Sequence, residues 1–384
     1  MHKYHSKTQL KQKTLLIVVN VDWIFISHRL AIGEAAVKAG YHVIVAAKDS
    51  GESAKVIEKG MEFRDIPFSR SGTHLVQELK LLWQLYKLYR EIQPDLIHQI
   101  TMKPLIYGSI VARLLRIKTV NAISGLGYNF TNDRKTIVQR FMVWMLRYGF
   151  AKKENHLIFQ NKDDFKELKE LKVIPKSASI HFIKGVGVVL ESYRFGKTSK
   201  DSMIKIVMPS RMLWDKGVKE FVEAARLLKE KYLSKVQFDL YGKIDKENKM
   251  GVLKSYLEAQ EIVGYLKWHG HQNEMLAKYK TADIVVLPSY REGIPRTLIE
   301  ACAAGLPIVT TTAIGCRDCV EEGKNGYKVP VKSASALTEA IEKLILSPED
   351  RIRMGAYSRK KAEREFNQKD VVKRHLEIYK QLLE

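Results

Sequence analysis

The chain has 384 residues, with 65 Lys and Arg against 43 Asp and Glu, a net charge of +22, 45% hydrophobic residues and 3 cysteines. That apolar fraction excludes wholesale disorder, and three thiols cannot staple a secreted fold, so a reducing compartment is expected. Met1 to Lys13 is polar and basic with no small-residue cleavage site after it, and no run of about 18 uncharged apolar residues occurs, so neither a signal peptide nor a membrane-spanning helix is expected.

Leu15–Asn20 is a short apolar run of buried-strand type, followed by a turn over Asn20–Arg29 and a helix over Arg29–Ala39 that stops at Gly40. His42–Ala47 is the next strand and Glu62–Phe68 a third. Leu75–Tyr89 sets Trp83, Tyr86 and Tyr89 among leucines and is expected to pack in the core. Pro94 closes that helix and opens a fourth strand ending at Ile100. Thr119–Ile123, Leu157–Gln160 and Ser179–Ile183 continue the series. The second half repeats it. Ile204–Pro209 is a strand, and Val218–Lys231 has helical apolar spacing at 218, 221, 222, 225 and 228. Val236–Gly242, Ile284–Pro288 and Pro307–Thr311 are further strands. This alternation predicts an α/β fold of two parallel sheets covered by helices. The boundary is placed in the polar stretch Tyr193–Ser202, which gives domains 1–195 and 196–367. A last helix, within 368–384, has no strand after it and is expected to dock on the first domain.

The charge is uneven. Residues 101–150 hold eight basic residues and one acidic residue, Asp133. Within them Arg134–Tyr148 is apolar almost all round, and Lys152 and Lys153 follow. A basic helix carrying Trp, Phe and Met suits an anionic membrane interface. It equally suits a core helix whose Arg140 and Arg147 reach out by their stems. Zinc-finger spacing, an aromatic strand signature and Arg/Gly tracts are absent from the sequence, so nucleic acid is not the expected partner.

In open parallel sheets, ligands sit beyond the carboxyl ends of strands. After Ile204–Pro209 come Ser210, Arg211, Lys216 and Gly217, then a helix. Two cations and a helix N-terminus at one strand end favour a phosphate, although a solvated basic turn has the same spacing. After Ile284–Pro288 come Glu292, Gly293, Ile294 and Pro295, then a helix bearing Glu300 and closed by Gly305. Carboxylates in such a place can grip sugar hydroxyls by accepting their hydrogen bonds. Cys316 and Cys319 form a C-x2-C, but Cys302 is the only other thiol, so zinc is not expected and Cys302 reads as packed.

Arg211 to Gly217 and Glu292 to Glu300 together resemble the paired signature of family-4 glycosyltransferases. Further pieces agree: Gly185-Val-Gly-Val with Phe195, His98 to Pro104, Gly108, Ser124-Gly-Leu-Gly-Tyr, and Gly315-Cys-Arg-Asp-Cys-Val-Glu-Glu. The resemblance spans nearly the whole chain. It is closest to bacterial enzymes that build surface polysaccharides or lipid-linked oligosaccharides, including N-acetylgalactosaminyltransferases acting on undecaprenyl-diphosphate sugars. It implies GT-B architecture, two Rossmann-like domains facing across a cleft, with acceptor on the first and nucleotide sugar on the second. It implies a retaining transfer of a hexose or N-acetylhexosamine from a UDP-sugar to a lipid-linked or polysaccharide acceptor. The setting would be the cytoplasmic side of an anionic membrane.

By resemblance, Arg211 and Lys216 hold the donor diphosphate beside Ser210, and Glu300 holds the ribose. Glu292 holds the transferred sugar, with the amides around Gly293 and Ile294 nearby and Pro295 shaping the turn. The chain has no Asp-x-Asp, which fits a metal-independent mechanism with cations in the metal's place. Two departures stand out. The glycine pair that many relatives carry after the first strand is missing from Asn20–Arg29. Ser124 stands where many have His. His28 and His98 are candidates to replace that His, and Lys103 and Gly125 are further candidate contacts. Two other readings remain open: a nucleotide-sugar epimerase or hydrolase of the same fold, and a non-catalytic nucleotide or nucleic-acid binder.

Overall fold

The computed structural model describes residues 12–68, 75–126, 136–193, 203–245 and 248–384. The expected domain boundary at 195/196, Phe195, Gly127 with Tyr128, and Arg134 with Lys135 lie outside the described residues.

The first sheet is built from β1 (Thr14–Val21), β2 (His42–Lys48), β3 (Glu62–Asp65), β4 (Leu96–Ile100), β5 (Lys118–Ile123), β6 (Asn155–Phe159) and β7 (Ser179–Phe182). The second holds β8 (Ile204–Pro209), β9 (Val236–Tyr241), β10 (Leu266–Trp268), β11 (Ile284–Leu287), β12 (Ile308–Thr311) and β13 (Gly326–Val329). Every pairing is parallel. The orders are β3-β2-β1-β4-β5-β6-β7 and β10-β9-β8-β11-β12-β13. Helices cover both faces, so the central strands bury both faces and read as continuous apolar runs; Leu15 to Val19 is fully buried. Each sheet reverses its order once, between β1 and β4 and between β8 and β11.

Three local expectations change. Asn20–Arg29 is not a simple turn, because Asp22–His28 is helical. The buried Asp22 carboxylate accepts from Trp23 N at 2.7 Å, Ser50 N at 2.8 Å and Glu52 N at 3.0 Å. A loop distant in sequence therefore anchors the helix start, which no local pattern shows. The strands β10 and β13 are additional; they are three- and four-residue edge strands broken by Lys267 and Lys328. Helix Leu75–Ile92 is only half in the core. Leu81, Leu85, Leu88 and Tyr89 are buried, whereas Val76, Leu79 and Trp83 face outward.

Helix Ile137–Phe150 is divided in the same way. Thr136 caps it, its hydroxyl accepting from Gln139 N at 3.1 Å. Met142, Val143, Met145, Leu146 and Phe150 are buried, and Ile137, Phe141, Trp144 and Tyr148 are exposed. Among the described residues, no helix is long and apolar enough to cross a membrane.

Helix Gln368–Leu383 packs on the first sheet. Val371, Ile378, Tyr379 and Leu382 share a core with Leu15, Ile17 and Leu96. Where the chain crosses between domains, Val188 N donates to Phe366 O at 2.9 Å and Gln368 N to Val188 O at 3.0 Å. The outward and return passes are thus bonded to each other.

Candidate active site

Where strand order reverses, the loops leaving adjacent strands run to opposite faces and leave a crevice. In the second sheet this brings the loop after β8 against the loop after β11. Tyr290 N donates to Asp215 O at 2.9 Å, and Ser289 Oγ lies 3.1 Å from the same carbonyl. Gly217, at φ +79, sits at the start of helix Val218–Tyr232; a Cβ there would lie 2.3 Å from Pro288 O. Only glycine allows that approach.

These loops gather the expected residues. Lys216 Nζ lies 2.5 Å from Glu292 Oε1, and Ser289 Oγ donates to that oxygen at 2.8 Å. Both charged side chains are largely buried, at 14% and 16% exposure, so they neutralise each other in the unliganded cleft. Arg211 Nη1 donates to Asp245 Oδ2 at 3.1 Å. Ser210 holds its loop through its backbone, Ser210 N donating to Tyr241 O at 2.9 Å. Glu300, on helix Arg296–Ala303, accepts from Arg296 Nε at 2.8 Å and from Tyr279 OH at 3.0 Å. Every cation in this group has a carboxylate partner that an incoming anion can displace.

The first domain forms the opposite wall. Gln160 Oε1 accepts from Ile294 N at 2.9 Å, and Asn161 Nδ2 donates to Gly293 O at 3.1 Å. Ile294 N is therefore engaged by the first domain. A Cβ on Gly293 would lie 2.4 Å from Ser124 O, and one on Gly125 would lie 3.0 Å from Gly293 N. Pro295 precedes helix Arg296–Ala303 with φ −70 and shapes the turn. Around this contact, Arg291 Nη2 donates to Asp164 Oδ1 at 2.6 Å and Glu167 Oε2 at 2.7 Å, and Arg317 Nη2 to Asp163 Oδ1 at 2.6 Å. Burial raises the Asp164 pKa, against the opposing pull of Asn161 and Arg291. Arg296 Nη1 donates to Ser27 O at the end of helix Asp22–His28.

The four remaining first-domain candidates separate. Half-buried His28 lies in the field of Arg296, Arg29 and Arg211; burial first, and then those charges, hold its pKa down to about 3. His98 is fully buried, 2.6 Å from Tyr379 OH beneath the last helix, and cannot reach the cleft. Lys103 Nζ is 2.6 Å from Glu78 Oε1, so its charge already has a partner. Ser124 Oγ accepts from Arg29 Nη2 at 3.1 Å.

Sequence reasoning missed Arg29, Gln160, Asn161, Tyr279, Arg291 and Arg296. Gln160 and Asn161 directly follow β6, so the strand-end rule already applied to them. Arg291 and Arg296 bracket a segment that had been singled out. Tyr279 carries no such signal. The three cysteines are buried free thiols, and burial pushes Cys302 and Cys316 up to about 12. Among the described residues, no three His, Cys, Asp or Glu side chains are grouped to hold a metal ion.

Two family models match the chain: Glycosyl transferase 4-like over residues 14–161 and Glycosyl transferases group 1 over residues 189–361. The chain is 27% identical over 356 residues to the N,N'-diacetylbacillosaminyl-diphospho-undecaprenol alpha-1,3-N-acetylgalactosaminyltransferase of Campylobacter jejuni, covering 89% of this chain and 91% of that one. It is 24% identical over 312 residues to the UDP-Gal:alpha-D-GlcNAc-diphosphoundecaprenol alpha-1,3-galactosyltransferase of Escherichia coli, covering 78% and 79%. The crystal structure of Anabaena HepE with UDP and glucose superposes with a TM-score of 0.74 at 16% identity, covering 96% of this chain and 100% of that one. The last likeness establishes the two-domain fold.

Proposed function

The chain belongs to the glycosyltransferases that these two models describe, and from that premise we propose that it moves a hexose or N-acetylhexosamine from a UDP-sugar to a hydroxyl of a lipid-linked or polysaccharide acceptor in bacterial surface-glycan assembly. One observation carries this reading: Lys216 and Glu292 touch where the β8 and β11 loops meet, with Arg211 on the first of those loops and Glu300 on the helix that follows the second. A nucleoside diphosphate sugar can divide that pair. The diphosphate takes Lys216 and Arg211, a sugar hydroxyl takes Glu292, and the ribose takes Glu300. As the diphosphate leaves, negative charge grows on phosphate and positive charge on the sugar ring. Fixed cations stabilise the first and a nearby carboxylate tolerates the second. In this reading the two cations do a divalent metal's work. The activities for which the C. jejuni and E. coli relatives are named, and the UDP bound to HepE, support the donor and acceptor classes.

Titration with UDP, GDP and ADP tests the donor side. Saturable binding of UDP, lost in Glu300→Ala, is expected. Glu292→Ala should abolish transfer and spare UDP affinity, whereas Arg211→Ala should weaken both. Equal and small effects from the two changes would remove the site from consideration.

The first domain rests, in this reading, on the anionic inner face of the cell membrane. Two exposed apolar stripes support it. Val76, Leu79 and Trp83 run along helix Leu75–Ile92, and Ile137, Phe141, Trp144 and Tyr148 along helix Ile137–Phe150. Cations flank them: Lys87 Nζ is 4.7 Å from the Trp83 ring centroid, and the Arg113 guanidinium carbon is 4.2 Å from that of Tyr148. Aromatic stripes edged by cations suit the headgroup boundary. Sedimentation with anionic vesicles at low salt should fall sharply in a Phe141→Glu, Trp144→Glu double variant. Undiminished sedimentation of that variant would move the contact elsewhere.

A further inference from the structure

The loop that carries Glu292 is held from two sides, and the two holds respond differently to a bound diphosphate. Its own domain holds Glu292 directly. Lys216 Nζ and Ser289 Oγ meet the carboxylate, and Glu292 N donates to Ile314 O at 3.0 Å. The first domain holds the residues on either side of it. Arg291 donates to Asp164 and Glu167, Asn161 donates to Gly293 O, and Ile294 N donates to Gln160. A diphosphate that takes Lys216 removes the cation from the Glu292 carboxylate at the moment a sugar needs that carboxylate in place. The four first-domain side chains take no part in holding the donor, so their grip on the loop survives that exchange.

The charged part of this grip is built into the start of helix Lys162–Glu170. Asn161 is the N-cap: its Oδ1 accepts from Asp164 N at 2.8 Å, while its Nδ2 donates to Asp164 Oδ2 at 2.9 Å and to Gly293 O at 3.1 Å. A carboxylate and a carbonyl can only accept, so the Asn161 amide has a single orientation. Asp164 Oδ1 is then left for Arg291 Nη2 at 2.6 Å. Glu167, three residues on and on the same helix face, takes the same nitrogen at 2.7 Å. The Arg291 and Asp164 side chains are 10% and 0% exposed, so water screens them little and the guanidinium is fixed in direction as well as in charge. Arg291 and Glu292 share a peptide unit, and a shift of one moves the other.

We propose that Asp164 and Glu167 are positioning residues: through Arg291 they keep Glu292 in place once the donor diphosphate has drawn Lys216 away, so that the first domain completes the sugar site. The proposal rests on the nucleotide-sugar reading of Lys216 and Glu292. It makes the nucleotide half of the site a property of one domain and the sugar half a property of both.

The test is hydrogen exchange over residues 289–296 of the full chain, followed by mass spectrometry, without ligand and saturated with UDP. It compares the parent with Glu167→Ala, Glu167→Gln and Asp164→Asn. UDP affinity is expected within about twofold of the parent in all three variants. Without UDP the loop should exchange within about threefold of the parent, because Lys216 still pins Glu292. With UDP bound, exchange should rise about 10-fold in Glu167→Ala and Asp164→Asn and stay near the parent in Glu167→Gln, which keeps an oxygen for Arg291. Glu167 is partly exposed, so its two variants decide the question if Asp164→Asn does not fold. Exchange that rises equally with and without UDP overturns the proposal, since the clamp would then only support the fold. Exchange unchanged in both states overturns it as well, and either result leaves the nucleotide site standing. UDP affinity lost in Glu167→Ala also overturns it, because the nucleotide half would then depend on the first domain. A parent chain that binds no UDP overturns this proposal and the nucleotide-sugar reading together.

Discussion

The two walls of the cleft are carboxyl edges of sheets with the same winding, yet they handle charge in opposite ways. On the second-domain wall each cation meets a carboxylate: Arg211 with Asp245, Lys216 with Glu292, Arg296 with Glu300. On the first-domain wall Arg29 is 3% exposed, bonds to the Ser124 hydroxyl, and leaves Nε and Nη1 with no hydrogen-bond partner among the described residues. Burial draws its pKa down to about 10. Around it stand neutral imidazoles: His28 and His375, each held down to about 3, and His98, held well below its usual value. Burial is the largest cause in each case, and Arg29 adds to it. A wall of matched pairs can exchange a carboxylate for a phosphate at little cost. A buried cation without a counter-charge is a burden carried by the rest of the fold. The contrast separates a wall shaped for a charged donor from one shaped to keep its nitrogens neutral.

The comparison breaks most severely at Lys216. Lys216→Met should lower kcat by about 10²- to 10³-fold, the usual cost of removing a fixed charge that meets developing negative charge, with the fold intact by circular dichroism. Gly293→Ala should cost about 10²-fold in kcat/KM, because the new Cβ would drive the loop off Ser124 O and misplace Glu292 by a fraction of an ångström to an ångström. Arg291→Ala should leave buried Asp164 without its cation and cost about 3 kcal/mol of stability in urea titrations. Arg29→Met is the sharpening case. Removing a cation that lacks a counter-charge among the described residues should leave stability unchanged or raise it by about 1 kcal/mol, whereas a loss like that of Arg291→Ala would mean the two walls do not differ as described.

The smallest effect is in the pH dependence. The unfolded chain protonates its histidines near the ordinary imidazole value of about 6.5, while native His28 and His375 stay neutral until about 3. Between those values the unfolded state binds more protons, so stability should decline as pH falls from about 6.5 toward 3. Urea midpoints across that range should show the decline, and His375→Phe should make it shallower.

Much of this was legible along the chain. Buried strands between two helical layers are continuous apolar runs, so Leu15–Asn20 and Ile284–Pro288 announced themselves without help from the fold. Arg211, Lys216, Glu292 and Glu300 were found because they follow strand ends. The edge strands β10 and β13 were not, since a short strand half open to solvent tolerates lysine and loses the pattern. Helix Leu75–Ile92 was assigned to the core because leucine and tryptophan alone do not tell which face meets the sheet and which meets solvent.

What the sequence by itself determined was the alternation of elements, the parallel sheets and the residues standing at their ends, because these depend on local period and spacing. What only the tertiary structure decided was which of those residues meet. His98 and His28 look alike in the sequence. One closes under the last helix against Tyr379 and the other lies in the field of three arginines from two domains. Lys103 and Lys216 are both strand-end lysines, yet one is matched by a helix beside it and the other by a loop 76 residues away. Burial and partner charge set each group's chemistry, and both are fixed by neighbours brought together only when the chain folds.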